Sequence, residues 1–175
     1  MNIRTVGYDH PDAIALNRQV QAEYAERYGE GDVSPVDAAD FAPPHGLYLI
    51  AYDPDGTPIA SGGWRCRDRD EEGHADGDAE VKRMFVVRAA RGRGLARLLL
   101  ATLEDSARAA GRRRIIMETG TRQPEAIALY TSSGYAPIPK FGVYRFHESS
   151  RCFGKLLAAD GEDGDAHRAP RAGAR

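Results

Sequence analysis

Two hydrophobic rhythms alternate along the chain. Leu95, Leu98, Leu99 and Leu103 recur every three or four residues, the spacing of one apolar face on an α-helix. This predicts a helix over residues 92–110, stopped by Gly111. Ile14, Leu16, Val20 and Tyr24 repeat in the same way between Pro11 and Gly29, a proline-to-glycine frame that suits an earlier helix. Elsewhere the pattern is that of strands. "NIRTVGY" alternates weakly and suits a sheet edge. "LYLIAYD" and "TPIASGGWRCRD" flank Asp55-Gly56 and read as a hairpin. "AEVKRMFVV" and "RRRIIMET" bracket the leucine helix. "QPEAIALYTSSG" gives a short helix, with Pro124 in its first turn and Gly134 after its end. "YAPI" and "SRCFGKLL" are late strands, and "PKFGVYRFHES" between them has no clear rhythm. Residues 31–46 are rich in Gly, Pro and Asp, with room for one short helix near "VDAAD".

The resulting order is β-α-(α)-β-β-β-α-β-α-β-β. An early antiparallel hairpin and a central strand-helix-strand unit predict an α/β protein with a mixed sheet covered by helices. One domain over residues 1–157 accounts for every element. From Ala158 to Arg175 the chain is mostly Ala, Gly, Asp and Arg, too poor in apolar residues to order itself, so a disordered tail is expected.

Composition narrows the function. The chain has 175 residues with a net charge of -2, which argues against a dedicated nucleic-acid binder. Its beginning has no apolar leader and "LARLLLATL" is too short to span a bilayer, so a cytoplasmic location and no membrane partner are expected. Cys66 and Cys152 are then free thiols, read as small buried hydrophobes. His10, His45, His74, His147 and His167 show no ligand spacing, so no metal is expected.

The stretch "RGRGLA", Arg91 to Ala96, opens the leucine helix. A helix start offers unpaired N–H groups and partial positive charge, which suits a phosphate. Gly92 and Gly94 would let a ligand approach the backbone, and Arg91 and Arg93 could add charge at the rim. The stretch lacks the P-loop lysine motif and the third glycine of G-x-G-x-x-G. On its own it is equally a ligand cradle or a shaped turn.

Its context is more specific. "RGRGLA" fits Q/R-x-x-G-x-G/A after the "MFVV" strand, and "QPEAIALYTSSGY" follows downstream. Residues 47–157 thereby resemble the GCN5-related N-acetyltransferase (GNAT) superfamily, and its bacterial small-molecule branch in particular. The resemblance implies a GNAT fold, with a mostly antiparallel twisted sheet whose fourth and fifth strands splay apart. It implies acetyl-CoA as cosubstrate, with the pyrophosphate held by the backbone of Arg91, Gly92, Arg93, Gly94, Leu95 and Ala96. The pantetheine arm would lie along Phe85, Val86 and Val87 and near Gln123 and Ala126. Gln123 stands where many relatives have Asn. Tyr130 matches the tyrosine that protonates the departing thiolate.

A base must take a proton from the amine. Glu80 lies eleven residues before Arg91, the spacing of the catalytic glutamate in the histone-acetylating branch. Period-two alternation puts Glu80, Lys82, Met84 and Val86 on one face. Burial there would raise the Glu80 pKa toward neutrality, or Glu80 simply pairs with Lys82 or Arg83. Glu118 is the second candidate, as base or as binder of the ammonium. Trp64 either lines the acceptor pocket or fills the core. Arg112 to Arg114 read as a solvated strand start, or as neighbours of the adenosine phosphate. The acidic loop with Asp70, Glu71, Glu72, Asp76 and Asp78 could steer a cationic amine.

The expected activity is acetyl transfer from acetyl-CoA to a small-molecule primary amine, by direct attack in a ternary complex. Protein or peptide acetylation and a non-catalytic CoA sensor are the alternatives. A homodimer is compatible with the resemblance.

Overall fold

The computed structural model describes residues 1–158. Apart from Ala158, the tail expected at 158–175 lies outside the described residues. The chain runs β1 (Asn2–Thr5), α1 (Pro11–Tyr28), a 3-10 turn (Ala38–Phe41), β2 (Gly46–Tyr52), β3 (Pro58–Arg67), β4 (Asp78–Val86), a second 3-10 turn (Arg88–Ala90), α2 (Leu95–Ala109), β5 (Arg114–Gly120), α3 (Pro124–Ser132), β6 (Ala136–Pro137) and β7 (Ser150–Leu156). This is the predicted order. Residues 139–149 form turns with no strand. No helix among the described residues is long and apolar enough to cross a membrane.

Seven strands form one sheet in the order β1-β2-β3-β4-β5-β7-β6. Only β4 and β5 pair in parallel; every other neighbouring pair is antiparallel. The two faces carry separate cores. Leu49, Trp64, Val81, Ile115 and Met117 pack with Leu99, Leu100 and Leu103 of α2. Tyr48, Ile50 and Phe85 pack with Leu16 and Val20 of α1 and with Phe41. Period-two alternation sorts the residues of each strand between these cores.

The leucine helix is shorter than expected and rotated. It starts at Leu95, because Gly92 and Gly94 both take positive φ, near 77°, and cannot extend it. Its buried face is Leu95, Leu99, Leu100, Leu103 and Ala107, while Leu98 is 42% exposed. At about 100° per residue, Leu98 falls roughly 60° outside the arc from Leu95 to Ala107. Ile14 on α1 is likewise exposed, and Ala13 takes the buried place.

A bulge in β4 breaks the predicted alternation. Ser61 faces Phe85 and Gly63 faces Lys82, so one residue of β3 opposes two of β4. Arg83 absorbs the extra residue with φ 61°, at a cost of about 1–3 kcal/mol for a residue with a Cβ. Glu80 and Lys82 do share one face, but Met84 and Val86 belong to the other. Both pack toward the α2 core, and Arg83 takes the place beside Lys82.

Candidate active site

β4 and β5 pair only through Asp78–Glu80 and Arg114–Ile116. Beyond Glu80 they diverge, so the edge of β4 that faces β5 has no strand partner. The gap is a cleft of about 210 Å³. Its walls are Val81 to Met84 of β4, Glu118 to Gly120 of β5, Gln123 just before α3, and Ala126 and Tyr130 of α3. Tyr24 and Tyr28 of α1, Asp32, Tyr144 and Ser150 complete it. A Cβ on Gly120 would overlap the Tyr28 hydroxyl, so the glycine lets α1 close against the end of β5. Arg27 and Arg122 each donate to the other's carbonyl and fix that closure.

Glu118 and Tyr130 meet in this cleft. Alternation along β5 puts Ile115 and Met117 in the α2 core and turns Glu118 the other way. Burial pushes its carboxyl up to about 7, with Asp32 and Glu80 adding to the rise; Lys82 and a hydrogen bond from Ser150 Oγ at 3.1 Å work against it. Tyr130 is buried, its ring against Tyr135 and Phe153 at centroid distances of 6.0 and 6.1 Å. Burial and the nearby Glu118 carboxylate raise its phenol well above the ordinary value. Gln123 Oε1 accepts from Thr119 Oγ1 and from the Tyr28 hydroxyl, each at 3.2 Å.

Of the two readings expected for Glu80, the structure favours ion pairing. It is buried, yet its pKa is lowered. Desolvation pushes it up, and Lys82, Arg65 and Arg67 together outweigh that push. Arg65 Nε and Arg67 Nε lie 3.0 and 2.9 Å from Glu80 Oε2. Arg65 stands directly opposite Glu80 across the β3–β4 ladder, and Arg67 one step along the same face. The signal was present in "RCR" of β3, two arginines at strand spacing.

Of the two roles expected for Trp64, the structure shows core filling. It is 1% exposed, belongs to the α2 core and donates from Nε1 to Ser106 Oγ at 3.1 Å. It does not line the cleft. The arginine run 112–114 is not a free solvated start either. Arg112 donates to the carbonyls of Arg67 and Asp78, and Arg114 pairs with the buried Asp78 carboxylate at 2.7 Å.

Among the described residues, no backbone carbonyl accepts from the N–H groups of Gly92 through Arg97. A Cβ on Gly92 or Gly94 would meet nothing within 4 Å. The turn is therefore open to solvent, with unpaired backbone donors at the start of α2. Its arginines are tethered. Arg91 binds both Glu23 oxygens at 2.9 and 3.0 Å and the Val86 carbonyl, Arg93 lies 2.8 Å from Asp53, and Arg97 reaches Ser132 and Ser133. Leu95 anchors the turn in the core, and Ala96 is half-buried. Phe85 packs against α1, Val86 leans to the α2 side, and the Val87 N–H is spent on the Ile59 carbonyl.

Sequence reasoning missed Asp32 and Arg83. Asp32 Oδ2 lies 3.1 Å from Lys82 Nζ, and its carboxyl is held at about 2. Burial opposes the charge there; Lys82, Ser34 and Arg83 overcome it. The available signal for Arg83 was "KR" inside an apolar strand. Two adjacent cations cannot share one face of a regular strand, so a bulge or an exposed charge was required. The five histidines lack ligand spacing in sequence, yet Asp70, Glu72 and His74 bring ligand atoms within 4.8 Å of one another. That grouping is accounted for by the His74 Nδ1–Asp70 contact at 2.7 Å and by backbone N–H bonds to Asp70. Cys66 and Cys152 are free thiols, as expected.

Known proteins share this arrangement. The acetyltransferase (GNAT) family matches residues 14–135. The IAA acetyltransferase of Azospirillum brasilense is 40% identical over 128 residues, which cover 70% of this chain and 78% of the relative. A Klebsiella pneumoniae protein, solved as a candidate acyl-CoA N-acyltransferase, is 29% identical and superposes with a TM-score of 0.72 over 90% of this chain and 97% of that one. The spermidine N-acetyltransferase of Vibrio cholerae, solved with CoA and spermine, shares the fold at 14% identity, with a TM-score of 0.61 over 89% and 95% of the two chains. The parallel β4–β5 pair that splays into a cleft, the glycine turn that opens α2 and the family match over most of the sheet lead to one conclusion: the chain belongs to the acetyltransferase (GNAT) family and is an N-acetyltransferase.

Proposed function

We propose that the chain transfers the acetyl group of acetyl-CoA to the primary amine of a small molecule, by direct attack while both are bound. The observation that carries this reading is Glu118 and Tyr130 lining one cleft. The names of the Azospirillum and Vibrio relatives, an IAA and a spermidine acetyltransferase, support a small acceptor. Acetyl-CoA supplies the acetyl carbon and the thiolate leaving group.

The open turn fits a pyrophosphate. Free N–H groups from Gly92 through Arg97 point outward from the start of a fifteen-residue helix, where helix dipole and donors act together. Glu118 is the base. A carboxyl near pH 7 is half ionised at neutrality and takes a proton from the substrate ammonium without a large mismatch. Glu80 is unsuited to that part, because three cations hold it as a weakly basic anion. Tyr130 keeps its proton at neutral pH and can deliver it to the departing sulfur. Gln123, fixed by Thr119 and Tyr28, keeps an amide N–H₂ for the pantetheine arm.

Calorimetric titration with acetyl-CoA, followed by thiol release over a panel of amines, tests the reading. Saturable binding with release on some amine supports it, and no binding by a folded sample overturns it. Tyr130→Phe should lower kcat by about 10²-fold and leave the acetyl-CoA Kd near its wild-type value. Unchanged turnover would remove Tyr130 as the acid. Gly94→Val should weaken acetyl-CoA binding for two reasons. At φ 77° a β-branched residue is strained, by about 1–3 kcal/mol, and its side chain enters the turn the phosphates need. Wild-type affinity in that variant would contradict the cradle.

A further inference from the structure

Arg83 is the one described residue other than glycine with a left-handed backbone. The bulge turns its side chain into the same cleft as that of its neighbour Lys82. The two cations differ in what they find there. Lys82 Nζ has Asp32 Oδ2 at 3.1 Å, Ser34 Oγ at 3.2 Å and Glu80 at 3.9 Å. Arg83 has only an approach of NH2 to the same Asp32 oxygen, at 3.6 Å. Its Nε and NH1 have no partner among the described residues, although the side chain is only 5% exposed. The second oxygen of Asp32 is filled by Ser34 N, Ser34 Oγ and the Tyr144 hydroxyl. Tyr8, Tyr24 and Tyr48 feel the Arg83 charge, but burial keeps their phenols neutral. One carboxylate oxygen thus serves two cations.

A buried guanidinium with unused donors is costly to fold around. Here it also occupies a strained backbone position, and it lines the cleft in which acetyl transfer is proposed. We infer that Arg83 binds an anionic group of the acceptor, and that the acceptor is an amine carrying a carboxylate, as in an amino acid. The inference rests on the proposed acetyl transfer, because the carboxylate belongs to the molecule whose amine attacks. A guanidinium suits this task, since each of its unused donors makes a charge-assisted hydrogen bond to an anionic oxygen.

The test uses the full chain, acetyl-CoA and a panel of L-amino acids, each paired with its carboxamide and its decarboxylated amine. Thiol release should favour the acids by roughly tenfold or more in kcat/KM, the scale of a lost charged hydrogen bond, with the difference carried by KM. Arg83→Gln should abolish that preference and Arg83→Lys restore part of it. An unchanged acetyl-CoA Kd in both variants shows that they are folded. A second readout needs no variant: wild-type protein should bind N-acetyl-leucine more tightly than N-acetyl-leucinamide in calorimetry. Equal affinities, equal use of carboxylate-free amines, or a preference that survives in folded Arg83→Gln would each overturn the inference and leave acetyl transfer standing. Acetyl-CoA binding without thiol release on any amine would instead overturn the proposed transfer, and the inference with it.

Discussion

Glu118→Gln should lower kcat by about 10²–10⁴-fold, the contribution of a well-placed general base, and should erase the rise of the wild-type rate through pH 7. The wild-type limb is expected near 7 because burial holds the carboxyl there. The same substitution should stabilise the fold in alkali. The folded carboxyl titrates at about 7, against an ordinary 4.5. The stability tied to its neutral form is therefore full below about 4.5 and lost as pH rises through about 7. Glutamine keeps the neutral form at every pH. Urea melts of the variant should match wild type near pH 4 and exceed it at pH 8, by up to about 3 kcal/mol. Wild-type turnover with an unshifted pH profile would exclude Glu118 as the base, and equal stability at pH 8 would mean that its charge is well solvated.

Asp32→Asn should do the opposite. It removes the one carboxylate shared by Lys82 Nζ and Arg83 NH2, which leaves Arg83 buried without a counter-charge and Lys82 with only Glu80 at 3.9 Å. Breaking a buried pair in this way costs about 3–5 kcal/mol, a large part of the total stability of a domain this size. The sign follows from a carboxyl held at about 2 against 3.8. Its contribution is present above about pH 4 and lost as pH falls through about 2. The gap between variant and wild type in a urea melt should be widest near neutrality and shrink toward pH 2. A loss below 1 kcal/mol at pH 7 would mean that water or another acid already carries the balance.

The sequence made the elements and their order legible, because each carries its own rhythm and punctuation. Pro11 and Gly29 frame α1, Asp55-Gly56 turns the hairpin, and Pro124 starts α3. It was less able to say which way side chains point where the rhythm breaks. Met84 and Val86 follow Glu80 and Lys82 at strand spacing, but the extra residue at Arg83 moves them to the opposite face. Leu98 looks like core by interval and is exposed by rotation. Glu80 matches a family spacing. Lys82 beside it was readable at strand spacing, but Arg65 and Arg67 reach it across the ladder, and a linear spacing cannot weigh them. Asp32 sits in a Gly- and Pro-rich loop with no pattern at all. It acquires meaning only when the loop folds over β4.

The place of β7 in the sheet bears on how the protein is made. β7 is the last strand of the described residues, yet it lies between β5 and β6 and pairs along the whole of β5, from Arg114–Leu156 to Gly120–Ser150. It also brings Ser150 to Glu118. During synthesis, then, every other part of the cleft emerges from the ribosome before the strand that finishes it. Until then β5 is an open edge with the sequence Arg-Ile-Ile-Met, the kind of edge that recruits other chains. A product stopped before Ser150 would be a sticky one as well as an inactive one. Between the release of β5 and the arrival of β7, that apolar edge is without its partner.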